Sequence, residues 1–410
     1  MLSKIWRGYR DSSFVLKMSI GFIAGIVSGL VFGQKMSLFQ PLGTLLINLL
    51  SLVAIPVVFL TVVLAVNQMN MKQLGRIGWK LILYYTVTTA AAVGIGVGLA
   101  LLFQPGQYLT LPDTKVETPA APNFSDVLLQ MVPSNIFEAF SGGNVMGIIF
   151  IAVIIGLAIS AMKFSADKEM QKHGQLLDKV IIALKEMFSK LLTGVLQYAP
   201  IGVFAISATA FGSQGWDTFK SLLTFTGVFY LGIILLWVFV YTGFLRLSGN
   251  SVMDFFKSTK EAYTTAFFTS SSIASLPIAI KSARKAGVSE RTANFALPLG
   301  AVFNSDGGAL RMGVSIVFAA NITNLNLSVS SFFLIVIVGT LLSIGTSGVP
   351  AAGLVTLAAV LTMFDLPLEI VALIAGVDAI IGMGGSASNV VGDIVGAVVV
   401  DSSEKKRATT

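Results

Sequence analysis

The chain has 410 residues, of which 55% are hydrophobic and 11% charged, with a formal net charge of +7 and a mean hydropathy of +0.84. Soluble domains carry about 25% charged residues, so much of this surface is expected to face lipid. The absence of cysteine excludes disulfides and thiolate metal sites, and the single histidine, His173, lies among charged residues, which argues against a Ser–His relay.

In chain order, the first apolar run, Met18–Gly33, follows basic residues but continues as a span, so it does not read as a cleavable leader. Apolar runs near 14–33, 42–66, 80–103, 145–162, 187–211 and 221–245 each supply the roughly 20 residues a helix needs to cross a bilayer. Pro56 predicts a kink in the second. Residues 105–122 read as an external loop containing proline and threonine, and 163–190 as a charged, amphipathic cytoplasmic stretch before the fifth span. Beyond 250, Ser/Gly/Pro clusters interrupt the hydrophobic segments, which predicts broken helices and re-entrant hairpins.

With the N-terminus placed in the cytoplasm, every one of the 27 lysines and arginines falls inside except Lys35, Lys115, Lys220 and the membrane-embedded Arg311. This asymmetry orients a multi-pass protein of the cell membrane with both termini cytoplasmic. It also explains the positive charge without nucleic acid.

Two apolar stretches carry polar residues at bilayer depth: 297–313, with Asn304, Asp306 and Arg311, and 371–400, with Asp378, Asn389 and Asp393. A charge there costs roughly 3 kcal/mol or more and marks an ion or substrate pathway. Asp378, Gly382, Gly385, Asn389 and Asp393 recur at spacings that put all five on one narrow helical face. Close helix packing explains the glycines but not the aspartates. The serine run at 269–277 and its counterpart at 343–350 read as the tips of two hairpins. Their hydroxyls and half-helix N-termini can hold a carboxylate, and their unwound carbonyls can hold Na⁺.

These residues resemble the dicarboxylate/amino acid:cation symporters. The likeness covers nearly the whole chain and is most specific at 269–277, LPLGAVFNSDG (297–307), SIGTSGVPAAG (343–353) and GVDAIIGMGGSASNVVGD (376–393), with 84–105 similar to the family's third span. The resemblance implies an all-α polytopic membrane protein with eight transmembrane helices and two re-entrant helical hairpins built from inverted repeats. Scaffold helices 1–2 (residues 1–75) and 4–5 (123–211) would form a homotrimer. Helix 3 (76–104) and residues 212–410, comprising helices 6 to 8 and both hairpins, would form the moving transport unit of an elevator. It further implies Na⁺ as the co-transported ion. Asn304, Asn389 and Asp393 with the Gly300 carbonyl resemble one Na⁺ site, and Tyr85, Thr88, Thr89, Asn304 and Asp306 a second. The carbonyls of Val302, Ser343, Ile344 and Thr346 resemble a third. Ser271, Ser272, the second hairpin around Gly348 and the Asn389 amide would hold the substrate carboxylate.

The chain departs from the family where substrate is chosen. Gly382 stands where amino-acid carriers place an aspartate for the ammonium, and Gly385 where acidic-substrate carriers place an arginine. Arg311 stands where relatives usually have an uncharged residue. Two expectations for Arg311 stay open: a fork-like pair with an anionic substrate, or an internal salt bridge to Asp378. The bridge would leave a pocket for a neutral amino acid such as serine or threonine, or for a monocarboxylate. Coupling to Na⁺ rather than H⁺ is expected because the aspartates lie beside hydroxyl and amide oxygens. An intramembrane aspartyl protease is a rival, but the Gly-x-Gly-Asp sequence is absent before Asp393. A passive channel is another, and the hairpins argue against it.

Overall fold

A computed structural model describes residues 14–67, 75–109, 132–141, 145–325, 327, 329–346, 352–364 and 366–408. The described residues are helical, with no strand among them. Helices α1 (Phe14–Phe32) and α2 (Gln40–Asn67, with Pro56 inside) are joined by a 3₁₀ turn, Gly33–Phe39. Then come α3 (Gly75–Phe103), the short α4 (Ile136–Ser141), α5 (Val145–Lys163) and α6 (Lys168–Gln214). Next, α7 (Trp216–Leu235) passes through a π-helical segment, Leu236–Tyr241, into α8 (Thr242–Ser248).

The rest of the chain is cut into shorter pieces: α9 (Val252–Thr269), α10 (Ser272–Lys285), α11 (Glu290–Phe303), α12 (Asp306–Ile322), α13 (Val329–Thr346), α14 (Ala352–Met363) and α15 (Glu369–Ala375). It closes with the long α16 (Asp378–Ala408).

Five helical stretches among the described residues are long and apolar enough to cross a membrane: Leu16–Leu64, Arg76–Phe103, Lys168–Ser213, Trp216–Ser248 and Asp378–Lys406. Gly147–Lys163, Ser331–Ser343 and Gly353–Met363 are shorter apolar helices. On α1, Leu16, Ile20, Ile23, Val27 and Leu30 form an exposed stripe at helical spacing, as expected of a face turned to lipid. The opposite face packs along α6.

The charged stretch 163–190 leads into the fifth apolar run, as its pattern predicts: from Lys168 it is part of α6, which runs unbroken for 47 residues. Asp167 caps its start by accepting from the Glu169 amide at 2.9 Å, and no proline follows until Pro200. Lys163 Nζ lies 2.8 Å from Asp178 Oδ2, and Asn67 Nδ2 donates to Asp178 Oδ1 at 3.0 Å. These contacts tie the ends of α2 and α5 to α6. The charged half of α6 keeps His173 exposed, as its setting predicts. Most of the loop 105–122, from residue 110 on, lies outside the described residues.

Helices α1, α2, α5 and α6 pack on one another. Helix α12 lies against α3 and α16, and α16 also packs on α9, α10 and α11. The breaks after residue 250 carry their own signals. Ser251, Ser271 and Ser289 cap α9, α10 and α11 with their hydroxyls, and Gly249 and Gly287 take left-handed turns at φ 86° and 91°.

Candidate functional site

The site forms where α11 stops and α12 begins. Asn304 leaves the helix with extended backbone (φ −110°, ψ 123°) and Ser305 is also non-helical (φ −143°, ψ 59°), so the apolar stretch around them is two helices meeting at a break. Unwound backbone exposes its polar groups, and inside protein these need partners. The Gly307 amide, in the first turn of α12, donates to Asn389 Oδ1 at 2.8 Å. The Ser305 carbonyl accepts from Ser343 Oγ at 2.6 Å, and Ser305 Oγ accepts from Asn389 Nδ2 at 3.3 Å. One break is thus bound to both α16 and α13.

The approach of α12 to α16 depends on glycine. A Cβ on Gly307 would collide with the backbone of Gly385, so any larger residue would push the two helices apart. At Gly382, one turn away, a Cβ would meet nothing within 4 Å. The stripe that spacing placed on one face of α16 therefore contains both a tight contact and an opening.

Two carboxylates lie at the centre, and each is fully or nearly fully buried. Asp306 (0% exposed) accepts from Thr89 Oγ1 at 2.9 Å and Thr88 Oγ1 at 3.2 Å on one oxygen, and from the Tyr241 hydroxyl at 2.7 Å on the other. Asp393 (2% exposed) accepts from Asn304 Nδ2 at 2.9 Å. Gly392 marks the convergence: a Cβ there would stand 2.9 Å from Asp306 Oδ2, 2.8 Å from Asn304 Nδ2 and 2.7 Å from the Tyr241 hydroxyl. Tyr85 is buried beside them, its hydroxyl donating to the Ala296 carbonyl at 3.2 Å and lying next to Gly300 and Asp393.

The partners of Asp306 and Asp393 are neutral hydroxyls and an amide, and no salt bridge to either occurs among the described residues. Burying an uncompensated carboxylate costs several kcal/mol. Such a pair needs a cation or a proton from outside the chain. Among the described residues no group of three or more His, Cys, Asp or Glu gathers. Oxygen donors with two carboxylates suit a hard cation.

The structure thus brings Tyr85, Thr88, Thr89, Gly300, Asn304, Asp306, Asn389 and Asp393 together, with Ser343 bonded to the break. Val302 is half-buried near the end of α11, and Ile344 and Thr346 are in the last turn of α13. Gly348 lies outside the described residues. Ser271 and Ser272 sit half-buried at the start of α10, where their hydrogen bonds among the described residues stay within the turn: Ser271 Oγ accepts from the Ala274 amide at 3.1 Å, and both carbonyls accept from Ser275 Oγ. Ser270, before them, holds a left-handed φ of 49°. Arg311 forms an ion pair with Asp378 through Nη1, so the internal bridge foreseen as one alternative is present.

Sequence reasoning missed Tyr241 and Ser305. Tyr241 is reachable from sequence only as a buried hydroxyl at the end of an apolar run. The π-helical turn that carries it bulges the backbone beside the site, as such turns often do.

The sequence profile of the sodium:dicarboxylate symporter family matches residues 14–403. The chain belongs to that family. It is 32% identical over 383 residues to the proton/glutamate-aspartate symporter of Escherichia coli strain K12, covering 90% of this chain and 86% of that one. It is 30% identical over 399 residues to C4-dicarboxylate transport protein 1 of Ralstonia nicotianae, covering 94% and 91%. A C4-dicarboxylate transport protein of Geobacter sp. strain M21 is 30% identical over 405 residues, covering 96% and 90%. These relatives are transport proteins, not enzymes, which removes the protease alternative. Their names include both a proton-coupled member and, in the family's own description, sodium.

Proposed function

We propose that the chain is a Na⁺-coupled symporter that imports a small carboxylate-bearing solute, an amino acid or a dicarboxylate, by an elevator-type alternating-access mechanism. The observation that supports it is the buried pair Asp306 and Asp393, held by hydroxyl and amide groups without a cationic side chain. Sodium ions supply the missing charge. Asn304, Asn389, Asp393 and the Gly300 carbonyl hold one; Tyr85, Thr88, Thr89, Asn304 and Asp306 hold another; the carbonyls of Val302, Ser343, Ile344 and Thr346 hold a third. Each ion moving inward contributes about 2.3 kcal/mol per 100 mV of membrane potential.

The substrate carboxylate sits between Ser271, Ser272, the second hairpin at Gly348 and the Asn389 amide, with Gly382 and Gly385 leaving room for the rest of the solute. Eight membrane helices and two re-entrant hairpins, arranged as inverted repeats, make up the chain, divided into a scaffold and a transport unit. Residues 1–75 and 123–211 form the trimerising scaffold; 76–104 and 212–410 move. Both termini are cytoplasmic. Sodium binding completes the cage, and closure of the second hairpin over carboxylate and ions frees the unit to move.

The ion pair between Arg311 and Asp378 favours a second reading of the substrate, in which the arginine is spent and the pocket takes serine, threonine or a monocarboxylate. Proteoliposomes test the coupling: an imposed inward Na⁺ gradient drives accumulation of ¹⁴C-labelled solute. Equal accumulation under a pH gradient without Na⁺ would refute it.

A further inference from the structure

We propose that Arg311 is the residue that selects substrate, receiving a second carboxylate on the edge of its guanidinium that Asp378 leaves unused. The inference rests on the carboxylate-symporter reading above and names which solutes that site prefers. Arg311 is on the second turn of α12, with 7% of the residue exposed. Its Nη1 meets Asp378 Oδ1, while Nε and Nη2 are buried without a hydrogen-bond partner among the described residues. Those two nitrogens form one of the two edges that carry parallel N–H groups matched to both oxygens of a carboxylate. A bridge evolved only to neutralise Asp378 would be expected to use one of those edges. Here Asp378 occupies a single corner, and two charged donors remain without acceptors in a place where unmet donors are costly.

The surroundings fit a receptor. Arg311 stands one turn, roughly 6 Å along the axis, beyond Gly307, whose amide holds Asn389. Asp378 stands one turn before Gly382, where there is open space. The guanidinium lies directly on Gly353 in the first turn of α14, and a Cβ at that position would overlap Nη1 and Cζ. Gly353 thus sets where the charge can sit. A dianionic solute places one carboxylate at the Asn389 end and its second at Nε and Nη2 of Arg311. Asp378 keeps the arginine oriented while the site is empty of solute.

The test uses the full-length protein in detergent with saturating NaCl, followed by thermal unfolding against succinate, its monomethyl ester and L-serine. In the parent, succinate is expected to stabilise at concentrations at least 30-fold lower than the monoester. Arg311→Gln removes that gap, Gly353→Ala narrows it by displacing the guanidinium without changing charge, and Asp378→Asn widens it by releasing Arg311. The double variant Arg311→Gln/Asp378→Asn replaces the pair with neutral groups of similar shape and guards against misfolding. It should unfold cooperatively, respond to NaCl and show no preference. If the parent responds equally to succinate and monoester in Na⁺, or the double variant keeps the preference, Arg311 is a structural bridge and the symporter reading stands. If no carboxylate stabilises the parent in Na⁺, the symporter reading falls and this inference with it.

Discussion

Of the buried aspartates on helix α16, Asp378 and Asp393, four turns apart, meet opposite fates. Asp378 faces Arg311, and the pair closes its own charge. Asp393, with Asp306 across from it, faces only neutral donors and leaves its charge open. The closed end needs no ion of its own. The open end requires a cation to arrive from solution, and this requirement can couple ion entry to substrate capture. The same helix supplies both ends because glycines let α12 approach it closely at Gly307 and Gly385 and stand off at Gly382.

The sharpest way to break this contrast is to neutralise the open end. Asp306→Asn or Asp393→Asn removes a charged ligand worth about 3 kcal/mol or more in a buried setting. The Na⁺ concentration giving half-maximal solute uptake should rise at least 100-fold, or uptake should vanish. An unchanged Na⁺ dependence in either variant would mean that the carboxylates serve only packing.

The glycine seam gives the next effect. Gly307→Ala forces a methyl into the Gly385 backbone and should cost about 1–3 kcal/mol of stability, read as a lowered unfolding temperature. Gly382→Ala meets open space and gains helix propensity worth up to about 1 kcal/mol. Equal losses from both would show that the seam is not where the backbones touch.

Tyr241→Phe is a smaller probe of the open end. Losing the 2.7 Å bond to Asp306 should cost about 1.5 kcal/mol and weaken apparent Na⁺ affinity about tenfold, with substrate preference unchanged. A shift in substrate preference instead would put the hydroxyl in the solute's pocket.

The smallest effect is expected at the C-terminal end of α16, where Glu404 pairs with Arg76 and lies 2.8 Å from Lys80 on α3. Glu404→Gln should cost less than about 1 kcal/mol, and less still in high salt, because exposed pairs are screened. A larger, salt-independent loss in thermal unfolding would make this clamp part of the transport cycle.

Much of the site was legible before the fold. Aspartates inside apolar runs are rare enough to mark themselves, and the spacing from Asp378 to Asp393 placed the stripe on one helical face, as α16 bears out. The break at Asn304 and Ser305 was foreshadowed by polar residues in a hydrophobic segment. Arg311 was legible as an anomaly and Asp378 as one of its two possible partners; which of the two it meets depends on which helices the glycines bring together. Tyr241 was hidden because a tyrosine ending an apolar run reads equally well as an interfacial anchor. Ser305 was hidden because its hydroxyl matters only once the helix stops there. The charged stretch before the fifth span was legible, but not that one backbone helix carries both halves, because the charge pattern changes sharply while the backbone does not.

The most direct measurement is the unfolding temperature of the purified protein, without any solute, in NaCl against choline chloride at equal ionic strength. Sodium at 100 times its dissociation constant should stabilise the parent by about 2.7 kcal/mol per site, and the Asp306→Asn/Asp393→Asn variant should not respond. Identical unfolding in the two salts, or an undiminished sodium response in that variant, would contradict a cation held by these carboxylates.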